Sequence, residues 1–200
     1  IVSRRKDGYH NLYTIFQELD FADFINIEKS DKGCHIKSDV DWIPTDEKNI
    51  CFKAYYLLKK EFDQVKGVEI KINKNIPVGS GLGGGSSNCA MVLKGINSLY
   101  NLGLDNNFLQ KIALKIGADV PFFINGGVQL GEGIGGKLTQ IKNSIPGYYL
   151  LIMPEIRIDT HWAYSQIKKK LNYGQNLSNF AGFLDGDFSS PKFFENDFER

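Results

Sequence analysis

Two hundred residues, 42% hydrophobic and 24% charged, suffice for one folded domain or two small ones. A formal net charge of +1 removes any general electrostatic case for nucleic acid or an anionic membrane as partner. Three cysteines, Cys34, Cys51 and Cys89, with no Cys-x-x-Cys pair, argue against a disulfide framework or a zinc site, and no apolar run approaches the ~20 residues of a membrane span. A reducing cytoplasm is therefore expected.

The chain opens at Ile1 without a methionine and stops at Phe198-Glu199-Arg200 without a closing element, so both ends are expected to be trimmed relative to a natural gene product. Arg4-Arg5-Lys6-Asp7-Gly8-Tyr9-His10 joins a basic run to an Asp-Gly turn. Alone it reads as a solvated turn; Tyr9 and His10 beside it could also hold a flat base. Tyr13–Leu19 and Phe24–Ile27 read as strands, with His35-Ile36-Lys37 as a third. Pro44-Thr45-Asp46 predicts a helix start, with Ile50, Cys51, Ala54, Leu57, Leu58 and Phe62 buried. Val68-Glu69-Ile70-Lys71-Ile72 alternates as a half-buried strand does.

Pro77-Val78-Gly79-Ser80-Gly81-Leu82-Gly83-Gly84-Gly85-Ser86-Ser87-Asn88 follows, with five glycines in seven positions. Behind it, Cys89, Val92, Leu93, Ile96 and Leu99/Tyr100 recur at helical spacing. The glycines thus form a strand-to-helix turn. Glycine tolerates positive φ and close approach, and the first helical turn offers unpaired N–H groups at the positive end of its dipole. Together these predict an anion site, most often one for phosphate. Ser86 and Ser87 have three open roles: capping the helix, binding a phosphate oxygen or helping to hold a metal ion.

Asp105 reads as the N-cap of a further helix burying Leu109, Ile112, Ala113 and Ile116, closed by Gly117. In Gly117-Ala118-Asp119-Val120-Pro121-Phe122-Phe123 one carboxylate sits amid apolar residues, so Asp119 is either a buried functional acid or a turn residue. Gly126-Gly127, Val128-Gln129-Leu130, the cluster Gly131–Lys137 and Leu138–Ile141 predict a glycine-rich hairpin. Asn143–Gly147 is the best domain boundary, followed by an apolar strand from Tyr148 to Met153 that Pro154 stops. Thr160 is expected to cap a helix running to about Leu171, with Lys168-Lys169-Lys170 near its end, and residues 174–192 read as loop.

Two patterns fail their structural context. Gly79-x-Gly81-x-x-Gly84 resembles a dinucleotide fingerprint, but no strand fits between the following helix and Asp105, and the preceding strand alternates instead of being apolar throughout. Gly131 with Gly136-Lys137 nearly spells a Walker loop, yet Leu138 replaces the magnesium-binding hydroxyl and a strand follows.

The form Pro-x-x-x-Gly-Leu-Gly-Gly-Gly-Ser-Ser-Asn, with Arg-Lys-Asp-Gly-Tyr-His upstream and Gly-Ala-Asp-Val-Pro downstream, resembles the GHMP small-molecule kinases. Glu132-Gly133-Ile134-Gly135 and Asn196-Asp197-Phe198-Glu199 extend the resemblance over nearly the whole chain. The branch it resembles acts on a cytidylyl-linked methylerythritol in non-mevalonate isoprenoid synthesis. The resemblance implies a two-domain α+β fold. Residues 1–145 would form a ribosomal-S5-like ATP-binding domain lacking its first strand, and 146–200 the start of a ferredoxin-like domain.

It further implies transfer of the γ-phosphoryl of ATP to a 2-hydroxyl. Asp119 would be the catalytic acid that accepts or orients the hydroxyl proton. Pro77 to Ser87 would cradle the phosphates, with Mg2+ offsetting their charge; Ser86 or Ser87 would touch the ion. Asn49 matches an adenine-side residue. Tyr9, His10, Tyr164 and Thr160 match the cytidine pocket, Tyr9 and Tyr164 on the two faces of the base and His10 at its edge. The protein would act as a monomer or homodimer in the cytoplasm or a plastid stroma. This chain starts past the family's catalytic lysine and stops before its C-terminal glycine- and serine-rich motif. Without those ends it is expected to be inactive, and with them an active kinase. The alternatives are a GHMP kinase with a sugar or amino-acid acceptor, and a catalytically inactive nucleotide-binding protein.

Overall fold

The computed structural model describes residues 1–142, 147–153, 158–167 and 198. In chain order the elements are β1 (Ser3–Arg4), β2 (His10–Gln17), β3 (Phe24–Ser30), β4 (Gly33–Ser38), α1 (Ile50–Glu61), β5 (Gly67–Asn73), α2 (Gly84–Leu99), α3 (Asn106–Leu114), α4 (Phe122–Asn125), β6 (Val128–Gly133), β7 (Lys137–Ile141) and α5 (Thr160–Ser165). Mixed helices and mostly antiparallel sheets make the fold α+β, as expected. Among the described residues no helix is long and apolar enough to cross a membrane.

Two compact units divide the chain: residues 19–126 form one, and residues 1–18 with 127–200 form the other. The first is built on a three-stranded sheet ordered β3-β5-β4. β5 pairs antiparallel with β3 and parallel with β4, so Ile27, Ile70 and Ile36 stand in one row across the strands. A parallel neighbour needs a long crossover, and α1 supplies it between β4 and β5. The predicted alternation of β5 holds: Val68, Ile70 and Ile72 are buried, while Lys71 faces water and Glu69 reaches Lys37 at 2.9 Å. Cys51, Ala54, Tyr55 and Leu58 of α1, Cys89, Val92, Leu93 and Ile96 of α2, and Leu109, Ile112 and Ala113 of α3 close the core over that sheet. No strand lies between α2 and α3, which removes the dinucleotide-fold reading on structural grounds as well.

Asp105 caps α3 as expected, its carboxylate accepting the Phe108 N–H at 2.7 Å. The helix expected from Pro44–Asp46 starts later, at Ile50 behind the cap Asn49. The Asp46 carboxylate accepts the Lys48 N–H at 3.0 Å, a local turn that competes with helix formation. Cys51 and Cys89 are core residues; burial pushes Cys51 up to about 12 and Cys89 higher still, so neither offers a thiolate at neutral pH.

The second unit is organised on a four-stranded sheet ordered β1-β2-β6-β7. Asp7-Gly8 turns the β1–β2 hairpin, with Arg5 N–H donating to the Tyr9 carbonyl at 2.8 Å. The glycine-rich hairpin is β6–β7, paired from Val128↔Ile141 to Glu132↔Lys137. β2 and β6 meet antiparallel, and their ends are locked where Glu18 and Gly127 exchange two hydrogen bonds of 2.8 and 2.7 Å. Two expectations fail here. Tyr148–Met153 forms no strand, and Tyr148, Leu150 and Ile152 stand exposed. The cap of α5 is Asp159, whose carboxylate accepts the Trp162 N–H at 2.7 Å, and Thr160 is the first helical residue. The expected boundary at 143–146, Pro154, the lysine run 168–170, the loop 174–192 and Asn196, Asp197 and Glu199 lie outside the described residues.

Candidate active site

In the unit of residues 19–126, Lys74 to Gly83 carry the chain from β5 to α2. Gly79, Gly81 and Gly83 hold φ of 74°, 76° and 69°. Left-handed residues at alternate positions favour a concavity lined by backbone amides. Gly83 is the N-cap of α2, so no side chain caps the helix and neither serine does. The first backbone bond of α2 is Ser87 N–H to the Gly83 carbonyl at 2.8 Å, which leaves the Gly84, Gly85 and Ser86 amides without helical acceptors. The Ser87 hydroxyl donates to the Gly84 carbonyl at 2.9 Å, while the hydroxyl of the half-buried Ser86 makes no hydrogen bond among the described residues. Of the roles open to the serines, capping is thus removed, and Ser86 is the freer hydroxyl.

Asp119 stands beside this helix start. A Cβ built on Gly83 would lie 4.0 Å from the Asp119 Oδ2 and only 2.7 Å from the Phe123 ring. The side chain is exposed, not buried as its apolar neighbours suggested: the turn into α4 buries Val120 and leaves Asp119 outward. Its carbonyl still starts that turn, accepting the Phe122 N–H at 3.2 Å. Gly83→Ala should lower stability by about 1–3 kcal/mol, because alanine resists the left-handed conformation and meets the Phe123 ring. Gly81→Ala shares the positive φ but enters open space, so its loss in urea denaturation should be smaller. Equal losses would rule out crowding against Phe123.

Beneath the loop lies a cluster that the sequence reading missed. Asp23 and Lys74 form an ion pair with side chains 0% and 4% exposed. Oδ1 of Asp23 accepts the Asn75 and Ile76 N–H groups, both at 2.8 Å. Oδ2 accepts Lys74 Nζ and, at 2.9 Å, the Asn88 amide. Burial alone raises the carboxyl pKa, but Lys74, the two backbone amides and Asn88 outweigh it and hold Asp23 below the usual carboxylate range. Gly84 permits the close approach: a Cβ there would sit 3.3 Å from Lys74 Nζ and 2.9 Å from Ile76. Asn49, expected near adenine, is buried as the cap of α1, its oxygen accepting Cys51 N–H at 2.9 Å and its amide donating to the Pro44 carbonyl at 2.7 Å.

In the other unit, His10 is 7% exposed and stacks on Tyr164 with ring centroids 5.2 Å apart. Phe198 packs edge-on against Tyr164 at 5.0 Å. Burial, then the neighbouring Arg4 charge, pushes the imidazole below its ordinary value, so His10 is mostly neutral at pH 7. Tyr9 is 60% exposed, and Thr160 is exposed one helical turn before Tyr164. His10 and Tyr164 thus come together, but as direct neighbours, with no gap for a base between those two rings.

Residues 49–127 match the family description "GHMP kinases N terminal domain". A relative from Acetivibrio thermocellus, named 4-diphosphocytidyl-2-C-methyl-D-erythritol kinase, is 42% identical over 168 residues, covering 84% of this chain and 59% of the relative. The chain thus spans about three fifths of that relative's length. A relative of the same name from Clostridium botulinum (strain Loch Maree) is 42% identical over 188 residues, 94% of this chain and 67% of its own. Among solved structures, a 4-(cytidine 5'-diphospho)-2C-methyl-D-erythritol kinase superposes with a TM-score of 0.72 at 28% identity, covering all of this chain and 70% of the other. Identity of that level, sustained over two thirds of the botulinum relative, makes this chain a member of the GHMP kinase family.

Proposed function

We propose that this chain carries the phosphate loop, the proton acceptor and the base-reading residues of an ATP-dependent kinase. Its acceptor would be the 2-hydroxyl of 4-diphosphocytidyl-2-C-methyl-D-erythritol, as the relatives' names suggest. The observation that carries the reading is Asp119 beside the uncapped start of α2. A carboxylate next to a cluster of unpaired amides serves no helix-capping purpose there, but suits an acceptor hydroxyl brought to a bound phosphate.

Phosphoryl transfer depends mainly on positioning and charge stabilisation. The amides of Gly79 to Ser86 would take the phosphate oxygens. Asp119 would accept or orient the hydroxyl proton as a positioned general base. Mg2+ is usually held by phosphates, waters and one or two protein oxygens. The Ser86 hydroxyl fits such a sparse donor set, and the ion would offset phosphate charge. Neutral His10 can hydrogen-bond a cytosine edge, and Tyr164 or Tyr9 can stack on its face. Because His10 and Tyr164 already touch, a base would enter by displacing one ring or by stacking on an outer face. The setting would be the cytoplasm, or a plastid stroma in a plastid-bearing organism.

The test is phosphotransfer by the full-length protein from ATP with Mg2+, offering cytidylyl methylerythritol, homoserine and mevalonate in parallel. Transfer to the first alone is expected, and no transfer to it ends the proposal. His10→Ala should raise the Michaelis constant for that acceptor about 10-fold or more and leave that for ATP nearly unchanged, the pattern of a lost substrate contact. Equal rises for both would move His10 out of the acceptor site.

A further inference from the structure

Asp23 is engaged on all sides by groups from both ends of the phosphate loop. Asn75 and Ile76 precede Pro77, and Asn88 follows Ser87, so one carboxylate spans the entry and the exit of the loop. The loop itself makes few internal bonds; Leu82 N–H to the Ser80 hydroxyl at 3.4 Å is one. A glycine-rich segment loses more conformational freedom on ordering than any other, so fixing its ends matters most where its own side chains cannot. Lys74 supplies the countercharge that makes a fully buried carboxylate tolerable there.

We propose that Asp23 is a positioning residue: it clamps the two ends of the glycine loop so that the loop amides converge on a polyphosphate. It touches no substrate. Oδ1 holds the incoming backbone and Oδ2 holds the outgoing helix through Asn88. The polyphosphate part rests on the kinase reading above, and the clamp itself does not.

Asp23→Asn keeps the shape but exchanges one acceptor oxygen for an NH2 group. If the NH2 replaces Oδ2 it faces Lys74 and Asn88, both donors; if it replaces Oδ1 it faces two backbone N–H groups. Either way one end of the loop is released.

The experiment measures the dissociation constants of ATP and AMP on the full-length protein by calorimetry. In the wild type the loop should favour ATP. In folded Asp23→Asn the AMP-to-ATP ratio should shrink by about tenfold to a hundredfold, as expected for phosphate-binding groups displaced by about an ångström. A purely structural role would lower the melting temperature and leave this ratio intact, and an intact ratio overturns the proposal. Asn88→Ala, which spares the ion pair, should shift the ratio the same way but less, and serves if Asp23→Asn does not fold. A wild type that binds ATP no more tightly than AMP defeats the kinase reading instead. Amide hydrogen exchange of the nucleotide-free protein then decides the clamp: faster exchange across residues 74–88 in the variant supports it, and unchanged exchange overturns it.

Discussion

Asp119→Asn in the full-length protein should reduce kcat by about 10²–10⁴-fold, the usual contribution of a positioned proton acceptor. The Michaelis constant for ATP should stay the same or fall, since a negative charge beside the phosphate-binding amides would be removed. Stability should change by less than about 0.5 kcal/mol, because the side chain is exposed and its turn is made by the backbone carbonyl. Steady-state kinetics with both substrates varied, alongside a thermal melt, separates these outcomes. An unchanged kcat would reduce Asp119 to a turn residue.

Lys74→Met carries the largest stability effect we expect, a loss of about 3–5 kcal/mol, because it strands the Asp23 charge in a buried site. Combining it with Asp23→Asn should recover much of the loss, since no uncompensated ion remains. The pH dependence follows from the direction of the Asp23 shift. In the wild type the folded pKa lies below the unfolded one, so this group's stabilisation is present at neutral pH. It declines as pH falls below about 4 and disappears below the folded pKa. In Lys74→Met the main lowering partner is gone, so the folded pKa of Asp23 rises relative to that of the wild type. The penalty of the variant should therefore shrink on acidification, as the stranded carboxyl takes up a proton. Urea denaturation of both proteins at pH 7 and pH 4 measures this; a penalty that grows toward pH 4 contradicts it.

Local patterns carried most of the core. The stripe Cys89, Val92, Leu93, Ile96 is a helix signal readable within one window, and the capping role of Asp105 needs only three following residues. The phosphate loop is equally local, being one contiguous run. Asp23 was not legible for the opposite reason: Lys74 is 51 residues away and Asn88 is 65, and within its own heptad Asp23 resembles any turn acid. Asp119 misled because apolar neighbours in sequence are not neighbours in space when a turn sends adjacent side chains to opposite sides. Tyr148–Met153 has the composition of a strand, but a strand also needs a partner's backbone, which composition does not report.

The lock between Glu18 and Gly127 joins residues 109 apart in sequence. During synthesis at about 5–20 residues per second, β2 therefore leaves the ribosome roughly 5–20 s before its partner β6 exists. Residues 19–126, with a core of their own, have that interval in which to fold. Until then β2 presents open backbone edges, the kind of surface that pairs with the wrong chain. Residues 10–17 of the nascent polypeptide thus stay open to mispairing through that interval, the window in which a helper that shields them would act.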